Sequence, residues 1–266
     1  MEATSERPVL WHIPVSHYSE KVRWAFDYKQ VPHRRRALPA PGAHILASMW
    51  LTGGKSQTFP VLEIGGRAIG DSTEIIATLE ERFPDPPLYP ADAEQRRRAL
   101  ELEELFDEGL GPHTRLLAFH ELGNDRERFS EMIERTAPPL MARMGAGAVA
   151  YGRTFTGLRF GVRSEQAAEQ ARAKILAAFD SLEAELAAGD GEHLVGDSFG
   201  VADLTAAALF YPIVLPVGGP VPGDQQLPEG LERFRAPLRE RPGYRWVEAT
   251  YNKHRRPAPL SAAASA

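Results

Sequence analysis

The side chains with the clearest chemical potential lie between residues 58 and 76. Thr58-Phe59-Pro60-Val61-Leu62 sets a proline among β-formers, Gly65-Gly66 supplies a turn, and Asp71-Ser72-Thr73-Glu74-Ile75-Ile76 opens an apolar-periodic segment. The stretch reads as strand, hairpin, strand, helix. Proline lacks the N–H that a sheet ladder needs, so Pro60 belongs at a strand start or an edge. An X-Pro bond is also the one place where a cis peptide costs little. Asp71 or Ser72 caps the helix, and the free N–H groups of its first turn, at the positive end of the dipole, suit a carboxylate. From the residues alone this is either an anion-binding corner beside a strand edge or a capped helix after a hairpin.

The segment upstream supplies the other elements. Val9-Leu10-Trp11-His12-Ile13 is a short apolar strand ended by Pro14, and a helix with an apolar face at Val22, Ala25 and Phe26 starts near Ser16. The order is β-α-(β)-α-β-β-α within about 85 residues. Ser16-x-x-Ser19-Glu20-Lys21-Val22-Arg23, Phe59-Pro60-Val61-Leu62, Asp71-Ser72-Thr73 and Thr78-Leu79-Glu80-Glu81-Arg82-Phe83-Pro84 occur in that order. Together they resemble the N-terminal, thioredoxin-like domain of the glutathione S-transferase superfamily.

The chain divides once, at the proline-dense connector Asp85-Pro86-Pro87-Leu88-Tyr89-Pro90. Beyond it strand signals largely disappear. Asp92 can cap a helix through Leu100, Leu102, Leu105 and Phe106, and further helices are expected at 125–137 and 164–188, the last stopped by Gly189. Gly200-Val201-Ala202-Asp203-Leu204 opens a buried helix, with segments at 231–239 and 244–253 closing the fold. His193 to Leu204 looks like the start of the core helix of glutathione transferases, where a capping Ser or Thr is usual and Gly200 stands instead. Glycine there costs only a few tenths of a kcal/mol. The resemblance implies an α/β thioredoxin-like domain at 8–84 followed by an all-α domain at 92–253. Residues 1–7 and 254–266 are expected to be disordered tails.

Composition is compatible with this. With 266 residues, 43% hydrophobic and 25% charged, the chain can bury one large core or two modest ones. A net charge of −5 does not point to nucleic acid. No apolar run approaches the length of a membrane span, and Met1 to Arg7 has no apolar core of a secretory signal, so a cytoplasmic protein is expected. The absence of cysteine excludes disulfides and a protein-borne thiol nucleophile. His12, His17, His113, His120 and His193 show no metal-ligand spacing, so no metal is expected.

The resemblance also implies a site. In that family a Tyr, Ser or Cys after the first strand polarises the sulfur of glutathione. Ser16 stands where serine-type members carry it, and Ser19 where thioredoxin-like relatives carry a second redox cysteine; Tyr18 lies between them. The cysteinyl backbone of glutathione would pair with Phe59 beside Pro60, and its γ-glutamyl carboxylate with Ser72. Its α-amino group would meet Asp71, where the family more often has glutamate, and its glycyl carboxylate Lys55 and Gln57. Arg115, Leu116, Phe119 and His120 fall in the region that binds the electrophile. The expected protein is a homodimeric enzyme that stabilises a thiolate for conjugation, thiol-dependent isomerisation or reductive dehalogenation of a small hydrophobic electrophile. A glutathione-independent pathway enzyme and a non-catalytic binding protein on the same scaffold are the alternatives. The segments 137–163 and 212–228 could reshape or cover the site.

Overall fold

The computed structural model describes residues 7–38, 42–136, 164–221 and 226–256, with four isolated positions at 147, 150, 154 and 157. The expectations for residues 1–6 and 257–266, for most of 137–163 and for 222–225 lie outside the described residues.

Strand β1 (Val9–His12), helix α1 (His17–Tyr28), β2 (Arg34–Ala37), α2 (Ala43–Thr52), β3 (Val61–Ile64), β4 (Arg67–Ile69) and α3 (Ser72–Arg82) form the first half. The sheet order is β2-β1-β3-β4, with β1 parallel to β2 and antiparallel to β3, and β3 antiparallel to β4. Leu10 faces Leu62 and Leu62 faces Ile69 across the sheet, a buried row that fixes the register. The β3–β4 turn needs positive φ at two successive positions, 57° and 74°, which Gly65 and Gly66 provide. The Phe59–Pro60 peptide is cis and directly precedes β3.

The connector is held firmly to the first half. Lys29 Nζ donates to the Phe83 and Pro86 carbonyls at 2.8 Å each and pairs with Glu80 at 2.6 Å. Glu80 in turn accepts from the Leu88 and Tyr89 N–H groups. Helices α4 (Ala93–Gly109), α5 (Gly111–Asn124), α6 (Arg126–Thr136), α7 (Glu165–Ala188), α8 (Val201–Val214), α9 (Glu229–Arg235), a 3-10 turn (Ala236–Glu240) and α10 (Pro242–His254) follow. Sequence periodicity did not separate α5 from α4. Only Leu110 lies between them, and Pro112 in the first turn of α5 starts it without a turn signal.

Helix α8 is the centre of the second half, buried almost throughout and packed against α1, α4, α5 and α10. Asp203 closes its N-terminus: Oδ2 accepts from Gly200 N–H at 2.9 Å and Oδ1 from Leu194 N–H at 2.8 Å. Burial pushes the Asp203 carboxyl up to about 6. The helix runs through Pro212, where a loop was expected. Its last carbonyls, Ile213 and Val214, are taken by Arg235, with Tyr244 also donating to Val214. A second difference is at the end of α10. His254 and Arg255, expected in a disordered tail, are anchored: His254 O accepts from Trp24 Nε1, and Arg255 pairs with Glu20 and Asp27. No helix among the described residues is long and apolar enough to cross a membrane.

Candidate active site

Ser16 lies half-buried at the end of the loop between β1 and α1. Ser16 is the N-cap of α1, in extended conformation, and its Oγ accepts from Ser19 N–H at 3.3 Å. A hydroxyl that accepts from its own helix retains its proton for an external acceptor. Ser16 N–H donates to Ile13 O at 3.0 Å, closing a turn. Ser19 is fully buried, and its Oγ accepts from Ile13 N–H at 3.2 Å. Tyr18 donates its phenol to Asp107 O at 2.7 Å, and its ring lies so close to α5 that a Cβ at Gly111 would come within 2.3 Å of the phenol oxygen. Burial, with Asp107 next, pushes the Tyr18 phenol up, so it stays protonated.

His17 is buried at the same junction, with Nε2 2.8 Å from Gly111 O. Burial, followed by the Arg115 charge, holds it down at about 3, so the imidazole is neutral and donates to that carbonyl. A histidine whose folded pKa lies below its ordinary value supports the fold fully above about 6.5. That support falls as pH drops from there toward about 3. Acidification from pH 7 to pH 5 is expected to remove about 2 kcal/mol through this residue. Urea unfolding at the two pH values checks this: in His17→Gln the pH-dependent loss shrinks by that amount, and an equal loss in both proteins refutes it.

The capped helix read from the sequence is present. Asp71 caps α3, its Oδ1 accepting from Thr73 and Glu74 N–H at 2.9 and 3.0 Å. This leaves the N–H of Ser72, the buried first residue of the helix, as the first-turn donor that the cap does not occupy. Phe59 is 2% exposed and lies beyond the β1–β3 ladder, which begins at Val61. The Phe59 carbonyl accepts from Thr58 Oγ1 at 3.3 Å. Lys55 and Gln57 are exposed in the loop before Pro60.

Behind the corner sits a buried ionic cluster that sequence reasoning did not find. Lys21 Nζ, fully buried, reaches Thr73 Oγ1 at 3.0 Å and Asp107 Oδ2 at 2.5 Å. Glu103 Oε1 lies 2.9 Å from the same ammonium without hydrogen-bond alignment. Thr73 also donates to Asp107 Oδ2 at 2.6 Å. Burial outweighs Lys21 and pushes the Glu103 carboxyl up. The cluster joins α1, α3 and α4, so the residue after Ser72 is fixed by the helical half.

Of the residues expected at the electrophile, Arg115 lies one turn along α5 from Gly111, its guanidinium 5.8 Å from the centre of the Tyr18 ring. It is therefore a cation beside the first turn of α1. Leu116 packs against the core, and Phe119 is half-buried on the same helix. His120 is buried, its Nε2 3.1 Å from both Glu165 Oε2 and Asn124 Nδ2. Neither the depression on the outer face of α4 nor the groove of about 640 Å³ between α7 and α10 is lined by any of these residues.

A four-stranded thioredoxin-like half with a cis-proline beside a capped helix, docked on an all-helical half, defines a two-domain thiol-transferase architecture. Residues 10–87 match the glutathione S-transferase N-terminal domain and residues 140–242 the C-terminal domain of the same family. The chain belongs to the glutathione S-transferase family. It is 26% identical over 210 residues to maleylacetoacetate isomerase of Dictyostelium discoideum, covering 78% of this chain and 80% of that protein. It is also 26% identical over 124 residues to probable maleylacetoacetate isomerase 2 of Drosophila melanogaster, 46% of this chain and 55% of that protein. The chain thus spans about half the length of the latter relative. Among solved structures it is similar to the holo structure of maleyl pyruvate isomerase, a bacterial zeta-class glutathione S-transferase. The TM-score is 0.59 at 24% identity, covering 97% of this chain and 99% of that one.

Proposed function

We propose that this protein is a glutathione-dependent enzyme that isomerises a small cis-enedioic acid of the maleyl type. The observation that carries the reading is Ser16, whose hydroxyl accepts from its own helix and keeps a proton to donate outward. When bound, glutathione supplies a thiolate that adds to the conjugated double bond, allows rotation about the resulting single bond and leaves again. A thiol of pKa ~8.5 is only a few per cent ionised at pH 7, and lowering it by about two units takes roughly 2.7 kcal/mol. One hydroxyl bond to a charged acceptor provides about 1.5–3 kcal/mol, and the N-terminus of α1 adds about 0.3–1 kcal/mol. Ser16 alone is therefore sufficient, and the reading leaves Ser19 to hold the loop and Tyr18 to join the two halves.

Ser72 N–H, at the α3 terminus, suits the γ-glutamyl carboxylate, and Phe59 the cysteinyl backbone. Asp71 is occupied in capping but retains Oδ2 for the α-amino group; Lys55 and Gln57, exposed in the loop before Pro60, suit the glycyl carboxylate. Arg115 favours an anionic substrate over a neutral one, in keeping with the names of the relatives above. Leu116 and Phe119 give that substrate an apolar wall, while His120 holds α5 to α7. A homodimer is part of the same proposal.

Two measurements test the reading. Calorimetry with reduced glutathione should give saturable binding, and a maleyl substrate should isomerise only when glutathione is present. Arg115→Met should raise KM for that dianion by about tenfold, equivalent to one lost ion pair, while sparing turnover of a neutral electrophile. Absence of glutathione binding by calorimetry and by thermal shift would overturn the assignment.

A further inference from the structure

The loop that carries Ser16 is gripped from behind by a chain of buried ions. Arg23, on α1, donates from its two terminal nitrogens to Ile13 O at 3.2 Å and Pro14 O at 2.9 Å, and contacts His12 Nδ1 at 2.8 Å. Tyr211 of α8 donates to the next carbonyl, Val15 O, at 3.2 Å. Three successive carbonyls ahead of Ser16 are thus held by side chains. Arg23 is itself oriented by Glu20: Nε lies 2.9 Å from Oε2. The other oxygen of Glu20 accepts from Arg255 Nε at 2.6 Å, and Arg255 reaches Asp27 Oδ2 at 2.7 Å. Asp27 Oδ1 is paired with Arg35 at 2.5 Å. Glu20, Arg23 and Asp27 are buried, and the Arg255 side chain, lying over the Trp24 ring, is only 7% exposed.

We infer that Arg255, at the end of the last helix and beyond the segment that matches the family, is a positioning residue for Ser16. This rests on the reading of Ser16 given above. Arg255 holds one oxygen of the Glu20 carboxylate, the other oxygen holds Arg23, and Arg23 fixes the carbonyls that set the loop. The charges explain why orientation, rather than folding, is what Arg255 controls. Without it Glu20 still has Arg23 and Asp27 still has Arg35, so no buried carboxylate loses its last cation. What is lost is the second contact that stops Glu20 and Arg23 from turning together. The distance along the chain, 235 residues, makes this an anchor of one half of the protein on the other.

The test is an ultraviolet titration of the bound glutathione thiol in Arg255→Met, with Ser16→Ala alongside. Arg255→Met is expected to raise the thiol pKa by about one unit, a tenfold loss of thiolate below the pKa. The Kd for glutathione measured at about pH 6, where the bound thiol is largely protonated, should stay within about twofold, since the groups at Phe59 and Ser72 are untouched. Arg255→Lys, which keeps one cation against Glu20, should restore most of the shift. A titration curve for folded Arg255→Met that superimposes on the wild type overturns the inference. Should that variant not fold, Arg255→Gln carries the same test: an upward shift supports the inference and an unshifted curve overturns it. If Ser16→Ala leaves the thiol unchanged, or glutathione does not bind, the Ser16 reading fails by itself. Arg255 is then judged by amide exchange of residues 13–19, where faster exchange in Arg255→Met upholds the anchor and unchanged protection removes it.

Discussion

Ser16→Ala is expected to leave the protein folded, to raise the pKa of the bound glutathione thiol by one to two units and to lower kcat/KM at neutral pH about 10²-fold. The loss follows from a single proton. Ser16 Oγ already accepts from Ser19 N–H, so in the proposed reading its proton is the one given to the sulfur. Ser19 is fully buried with its oxygen on Ile13 N–H, and Tyr18 donates to Asp107 O across the junction. The same substitution removes an N-cap, which costs about 1 kcal/mol of stability. A modest drop in melting temperature should therefore accompany the large loss of activity. Ultraviolet titration of the bound thiol separates the two effects. If its midpoint is unmoved, Ser16 is only a cap and Tyr18 or Ser19 has to be tested in its place.

Lys21→Met should be the most destabilising single change, lowering the unfolding free energy by about 3–5 kcal/mol. The ammonium has no exposed surface and stands between two buried carboxylates, Asp107 at 2.5 Å and Glu103 at 2.9 Å. Its removal leaves Asp107 with Thr73 as a partner and Glu103 without a cation. An unpaired buried carboxylate, more than the lost attraction, is what makes such a change costly. Glu103, already pushed up by burial, should then take a proton and relieve part of the loss. Adding Glu103→Met to Lys21→Met should accordingly recover stability, where two independent losses would add. The check is the urea midpoint of the three variants at constant m. A Lys21→Met midpoint equal to that of the wild type would mean that the cluster contributes nothing net. Because Thr73 follows Ser72 in the first turn of α3, the surviving folded protein should also bind glutathione more weakly.

These two residues illustrate what could be read from the chain. The Ser16 cap, the Asp71 cap, the cis-compatible Phe59-Pro60 pair and the Gly65-Gly66 turn are signals that act over two to four residues, and each stands in the structure as an element boundary. Gly200 likewise stands at the start of α8, its N–H donating to Asp203. Glu20, Lys21, Arg23 and Asp27 carry no such signal, because nothing in their spacing along α1 says what those charges meet. They are all buried, because α1 is covered by α3 on one side and by α8 and α5 of the other half on another.

The sequence by itself therefore determined part of the local grammar: several element starts, the order of strands and helices in the first half, and which hydroxyls could stand at a helix N-terminus. Tertiary structure decided which charge meets which. With 31 basic and 36 acidic residues, the chain offers far more possible ion pairs than it can form, and spacing along it ranks none of them. Arg255 reaches Glu20, and Lys21 reaches Asp107, because α10, α1 and α4 all pack on the same central helix. Burial then makes those particular pairs matter, since a charge that is unimportant in water must be matched once water is removed.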